Sequence, residues 1–289
     1  MTLAIHHIAI NARDPDRIAA LYGDAVGFAR VETAGTAIWL AGPNAFVALH
    51  PTKAQARASG PRVCDPGIGH FCIQSGAGEA AWARLTASGI AFNARPASLG
   101  TGVIYAYGRD PEGNLIETEG VADADAETPP WIAHVALVSA DLDRLADFYA
   151  RLIGRSPHRE GTFAHPSFKQ ITGFDDVRVS AKWIMADNMI FEMWCYHNPA
   201  TVGVRSNDIA TPGYRHVGFC CADLDSEIRR LADVDIVLGP PVVFHDLRAV
   251  EGVDPDGNGF IVVEAAAVDQ PLALGGLSDP GIVTNRHTA

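Results

Sequence analysis

AIHHIAINARDPD, at Ala4–Asp16, returns as IAHVALVSADLD at Ile132–Asp143. In each copy a histidine sits in a short apolar run, an aspartate follows seven residues later, and a helical pattern then runs to a tyrosine and a glycine. His7, Asp14, Tyr22 and Gly27 stand 127 positions before His134, Asp141, Tyr149 and Gly154. A constant offset across four residue types marks an internal duplication. Weaker copies occur at GHFCIQ, around His70, and at RHVGFCCADLD, where Asp223 again lies seven residues beyond His216. The pattern predicts four strand–helix units, each led by a histidine.

Alternation along Leu3–Asn11 predicts a strand with His7 on the face of Ile5 and Ala9, and His6 on the face of Ile8 and Ile10. Two residues after the other leading histidines stand Ala136, Cys72 and Gly218. The opposite faces carry Val135 and Leu137, Phe71 and Ile73, Val217 and Phe219. Each histidine therefore has a small neighbour and room in front of it, while the bulky face suits packing against a helix. This selects His7 over His6. Asp14-Pro15 is a helix start and Gly27 its stop, with Asp141 and Gly154 in the same roles later. Tyr22, Phe148 and Tyr149 are expected in the core.

Composition narrows the function classes. At 289 residues, 48% hydrophobic and 19% charged, the chain suits two ordinary soluble domains. A formal charge of −12 without a basic cluster argues against nucleic acid or an anionic membrane as partner. The five cysteines lack CxxC spacing, so neither a disulfide scaffold nor a zinc ribbon is expected, and a reducing cytoplasm fits. No signal peptide or membrane-spanning run is read.

The polar stretch Pro51–Gly67 reads as a connector, and VADADAETPP, ending at Pro130, as a linker. Domains are expected at residues 1–121 and 131–267, joined by 122–130 and followed by a tail at 268–289. Two units end in a turn signal, DPEGN at Asp110 and DPDGN at Asp254, followed by strands bearing Glu117 and Glu264. In MIFEMWCY, Met189–Tyr196, residues Glu192, Trp194 and Tyr196 share one face.

Four histidine-led units with these endings resemble the vicinal oxygen chelate superfamily, which includes glyoxalase I, methylmalonyl-CoA epimerase, extradiol dioxygenases and bleomycin-resistance proteins. The resemblance covers most of residues 3–265 and implies an α+β fold of four tandem βαβββ units, paired into two curved-sheet domains. It implies a divalent metal, with Fe(II) first and Mn, Ni, Co or Zn as alternatives. Carried over by position, the first half supplies His7, His70 and Glu117, with Val47 at the family's fourth ligand position. The second half supplies His134, Glu192 and His216. Its last ligand is either Glu264, if the turn is three residues longer, or absent, because direct alignment of the two turns puts Ile261 under Glu117.

Two histidines and one carboxylate with open positions suit Fe(II) oxygen chemistry. His245, nineteen residues before Glu264, resembles an extradiol acid/base histidine, and Tyr107 a substrate-contacting tyrosine. Asp254, however, occupies the tyrosine position in the second half. The first expectation is an extradiol-type ring-cleaving dioxygenase acting on a catechol. The alternative is a glyoxalase- or epimerase-like isomerase or lyase working through a metal-bound enediolate, with Glu192 moving the proton. A third reading is a ligand-sequestering protein of the bleomycin-resistance kind. His50 is a weaker acid/base candidate, while His158 and His165 are expected in solvent. The expected partners are a small molecule with vicinal oxygens and further copies of the same chain.

Overall fold

A computed structural model of the chain describes residues 2–55, 60–205, 210–265 and 272–278. The first unit holds β1 (Ala4–Ala12), α1 (Pro15–Val26), β2 (Ala29–Val31), β3 (Ile38–Ala41) and β4 (Phe46–Pro51). The second holds β5 (Gly67–Ser75), α2 (Gly78–Ala87), β6 (Ala91–Phe92), β7 (Ala97–Ser98), β8 (Val103–Arg109) and β9 (Leu115–Val121). In the third, β10 (Trp131–Val138) and α3 (Leu142–Ile153) precede β11 (Arg159–Ala164), α4 (Phe168–Thr172), β12 (Arg178–Met185) and β13 (Ile190–Asn198). The fourth comprises β14 (Gly213–Cys221), α5 (Leu224–Ala232), β15 (Val242–Phe244), β16 (Leu247–Val253) and β17 (Gly259–Glu264).

Local signals act as read. Asp14 and Asp141 accept hydrogen bonds from the backbone N–H of Arg17 and Arg144, and Gly27 and Gly154 close their helices at φ 77° and 83°. The left-handed conformation at these two stops is the one glycine adopts without a Cβ penalty. The DPEGN and DPDGN turns are built alike. Asp110 accepts from the N–H of Glu112 and Asn114, and Asp254 from that of Asp256 and Asn258. Asp254 is thus a turn-former rather than a replacement for a catalytic tyrosine.

The pairing of units departs from the two-halves expectation. One curved sheet runs β15-β16-β17-β14-β1-β4-β3-β2, and the other β11-β12-β13-β10-β5-β9-β8-β6 with β7 on β8. The first unit therefore shares a sheet with the fourth, and the second with the third. The seams are the leading strands, antiparallel as β1/β14 and β10/β5. The expected linker at 122–130 joins β9 to β10 within one sheet, so each half of the chain is divided between the two sheets.

Both sheets turn their bulky faces to one shared core. Ile8, Ile10, Phe71, Ile73, Val135, Leu137, Val217 and Phe219 pack there with the helix residues Tyr22, Phe148 and Tyr149. A reciprocal lock crosses that core. Asn44 bonds the backbone of Ile132 in both directions, and Asn188 does the same to Ile5. Each concave face has its own smaller apolar cluster, around Trp39 in the first sheet and around Tyr107 and Tyr196 in the second. Of the expected tail, Leu272 packs beneath the first sheet and Leu274–Gly276 form a 3-10 turn; residues 268–271 and 279–289 lie outside the described residues.

Candidate metal centre

Each leading histidine follows or occupies a β-bulge. His6 is the extra residue between the Ile5 and His7 pairs of β1, and Arg215 the extra one beside His216 on β14. Ala133 and Gly69 hold the same places beside His134 and His70. A bulge inserts one residue, breaks the alternation and re-aims the neighbouring side chains. Strict alternation, which would set His6 on the helix-facing side, is therefore broken at this point. His6 lies on the concave side with His7, its ring 5.2 Å from Phe46 and 6.1 Å from Trp39.

In the second sheet four donors converge. His70 Nε2 and His134 Nε2 lie 2.9 Å from the same Glu117 oxygen, and 3.3 Å from each other. Glu192 Oε2 stands 3.4 Å from His134 Nε2. All four residues are buried, at 6% exposure or less. The grouping differs from the one expected by halves: His70 and Glu117 meet His134 and Glu192, while His7 and His216 belong to the other sheet. Tyr107, paired with Glu117 across β8/β9, lays its ring 4.9 Å from His70.

Glu192 is held by two indoles. Trp183 Nε1 donates to Oε1 at 2.7 Å and Trp194 Nε1 to Oε2 at 2.9 Å. The local sequence does not single out Trp183, because it is brought in by β12, which pairs antiparallel with β13 and sets Trp183 opposite Glu192. Its position in an alternating apolar strand within the long middle segment was the only available signal.

Electrostatics mark this face as cation-seeking. Burial raises the Glu117 carboxyl, but hydrogen bonds from His134 and His70 overcome it and hold the group at about 2. Burial likewise lowers His134, and is outweighed by Glu192 and Glu117, which carry it to about 10. Glu119, two residues beyond Glu117 on the same face, is pushed up to about 8 by burial and by Glu117. Three buried carboxyl groups face two imidazoles, an arrangement whose desolvation cost a divalent ion offsets. Two imidazole nitrogens and two carboxylates are a donor set for Zn, Ni, Co, Mn or Fe(II). The donors fit such an ion, although His134 Nδ1 is buried without a partner among the described residues.

The first sheet repeats the frame with different chemistry. Strand register shows which residues take the ligand positions. Ala136 pairs with Glu192, and its counterpart Ala9 pairs with Ala48. Cys72 pairs with Glu117, and its counterpart Gly218 pairs with Ile261. The fourth position is thus Ala48 rather than Val47, which points into the shared core. Ile261 rather than Glu264 corresponds to Glu117. Three residues further on, Glu264 falls on the other face, where it accepts from Leu224 N–H at the start of α5 and pairs with Arg248. Neither alanine nor isoleucine ligates a metal.

What remains is a chain of neutral imidazoles. His6 Nε2 lies 2.7 Å from Leu272 O, the two Nδ1 atoms of His6 and His7 are 2.8 Å apart, and His7 Nε2 is 2.9 Å from His216 Nε2. A carbonyl only accepts, so His6 Nε2 donates to it. His6 Nδ1 then accepts from His7, whose Nε2 accepts from His216. Burial lowers His6 to about 4 and, with the neighbouring histidines, holds His7 well below its ordinary value. His245 sits on this side as well, at the tip of the β15/β16 hairpin. Its Nδ1 bonds Ala34 O at 3.0 Å, and its ring lies 5.2 Å from Trp39. It is not part of the four-donor centre.

Residues 4–118 match the model of the Glyoxalase/Bleomycin resistance protein/Dioxygenase superfamily. No functionally curated protein matches the chain by sequence. Among solved structures, glyoxalase I from Zea mays superposes with a TM-score of 0.66 at 18% identity, over 91% of this chain and 92% of that one. A putative dioxygenase from Bacillus subtilis subsp. subtilis str. 168 gives 0.66 at 13% identity, over 99% and 94%. At these identities the likeness is one of fold. Histidine-led units and paired curved sheets agree with these likenesses: the chain has the two-domain vicinal oxygen chelate fold, and the glyoxalase/bleomycin resistance/dioxygenase superfamily model matches its residues 4–118.

Proposed function

We propose that the concave face of the second sheet is a metal-assisted proton-transfer site, and that the chain is an isomerase or lyase of the glyoxalase or epimerase type. The observation that carries this reading is the convergence of His70, Glu117, His134 and Glu192, with Glu192 oriented by two indole donors. A divalent cation held by these four residues would polarise the oxygens of a substrate with neighbouring hydroxyl and carbonyl groups. Glu192 then serves as the base for the acidified C–H. Trp183 and Trp194 keep its carboxylate aimed and restrain its rotation, and burial strengthens each of these contacts. Tyr107, its ring tilted against that of His70, forms one wall of the site.

The ring-cleaving alternative drew on a three-ligand set and on His245. The fourth donor and the place of His245 on the other sheet take away both supports. The test is reconstitution of the full chain with Ni, Co, Zn, Mn and anaerobic Fe(II), each followed by two assays. Deuterium exchange at the carbon next to the carbonyl of α-hydroxy ketones or hemithioacetals, lost in Glu192→Gln, supports the proposal. Oxygen uptake with catechols in the Fe(II) form, without exchange, overturns it in favour of ring cleavage. Absence of metal binding in all forms leaves the sequestering role.

A further inference from the structure

The first sheet carries ionisable groups where the second has small or aromatic residues, and apolar residues where the second has acids. At the bulges, His6 and Arg215 stand where the second sheet has Ala133 and Gly69. His50, two residues beyond Ala48 on β4, stands where β13 has Trp194. The acidic positions are filled by Ala48, Ile261 and Val263, all fully buried or within 1% of it. The ionisable neighbours acting most strongly on His7, His50 and His216 are histidines, Arg215 and Arg205, with no carboxylate among them. Arg205 is already engaged, donating to Tyr214 O and Arg215 O.

Three polar atoms on this face are left over. Trp39 Nε1, His50 Nε2 and Arg215 Nε are buried and without a hydrogen-bond partner among the described residues. The histidine relay uses the donors of His6, His7 and His216, and Ala34 O takes that of His245, so these three nitrogens are left unengaged. A guanidinium whose Nε is buried without a partner carries a desolvation cost, and the group that compensates it best is a planar or tetrahedral oxyanion.

We propose that the concave face of the first sheet is an anion site, binding a carboxylate or phosphate group between the Arg215 guanidinium and His50 Nε2. One scaffold would thus present a cation site and an oxyanion site on its two sheets. The proposal does not depend on the reaction assigned to the metal centre. A divalent cation is the poorer occupant, because Arg215 repels it and Ala48 and Ile261 offer it nothing.

The test is calorimetric titration of the full chain, metal-loaded, with inorganic phosphate and with acetate. Saturable binding of either at about one per chain is expected, the tighter of the two naming the ligand class. Arg215→Met should weaken it roughly tenfold or more, Arg215→Lys and His50→Asn by smaller factors, and Glu117→Gln not at all. Circular dichroism checks the fold of each variant; if Arg215→Met does not fold, Arg215→Lys and His50→Asn decide. Three results would overturn the proposal: no saturable binding of either anion, binding indifferent to both Arg215 and His50 variants, or binding abolished by Glu117→Gln, which would place the anion on the metal. A second equivalent of Ni or Zn lost on His216→Ala would also overturn it, making the face a cation site.

Discussion

The two concave faces have the same strands, the same seams and the same paired histidines, and they differ in the residues that surround them. Around His70 and His134 stand Glu117, Glu119 and Glu192, with two indoles holding one carboxylate. Around His7 and His216 stand Ala48, Ile261 and Val263, with His6, His50 and Arg215 at the remaining places. A backbone that places imidazoles in pairs has been given acids on one sheet and bases on the other. The sign of the surrounding charge, rather than the histidines, decides which ion each face can hold.

The largest expected effect separates the two histidine pairs. His134→Ala should abolish metal uptake, measured as metal per chain, and with it the activity, by about a thousandfold or more. His7→Ala should leave the metal count unchanged. Equal loss in both variants would break the distinction between the sheets.

A converse experiment tries to convert one face into the other. Ala48→Glu combined with Ile261→Glu restores two carboxylates beside His7 and His216. It should give a second metal equivalent, and a rise in Tm on adding Ni that corresponds to about 2.7 kcal/mol at a hundredfold excess over Kd. A protein that folds but takes up only one metal would show that Arg215 and the relay outweigh the restored acids.

Packing under the histidines differs as well. A Cβ placed on Gly218 would lie 2.1 Å from the His7 ring, whereas the corresponding position under His134 accommodates Cys72. Gly218→Ala should therefore displace His7 and cost about 1–3 kcal/mol in denaturant unfolding. Cys72→Ala should cost less, because it removes a single sulfur.

The smallest effect is in the pH dependence of stability, where the faces tilt in opposite directions. Burial, aided by Arg215, lowers His50 to about 4. The unfolded chain then binds more protons between about 4 and 6.5, so stability falls as pH drops through that window. His50→Asn should flatten the slope there by about 1.4 kcal/mol per pH unit at most. In the metal-free protein Glu119, raised to about 8, tilts the other way. Its proton is kept by the fold and lost by the unfolded chain between about 4.5 and 8, so stability falls as pH rises, and Glu119→Gln should remove that slope.

Much of this was legible from local signals. The leading histidines, the aspartate caps, the glycine stops and the two DP-x-G-N turns depend on interactions within a few residues, and they stand as read. Glu117, Glu192 and Tyr107 came from the resemblance to the superfamily, which set them on strands that the local pattern already marked. The misreadings share one cause, the placement of single residues in a period of two. Shifting by one residue exchanges faces, which is how Val47 was taken for Ala48. Placing Glu264 three residues beyond Ile261 moved the ligand to the side of α5. A bulge makes the same shift in the backbone itself, and it brought His6 and Arg215 to a face where alternation did not put them.

From the chain alone follow the fourfold repeat and the kinds of side chain offered at each leading strand, while the last ligand position stays open between Glu264 and Ile261 until the strand register is known. Which histidines meet was settled only by tertiary structure. Each unit has an open edge on its leading strand, and any other leading strand can satisfy its hydrogen bonds. The choice of β1 with β14 and β5 with β10 arises from how two sheets bury their bulky faces against one core, with Asn44 and Asn188 locking them across it. That choice depends on contacts between residues far apart in sequence, and it is what sets His70 beside His134 rather than beside His7.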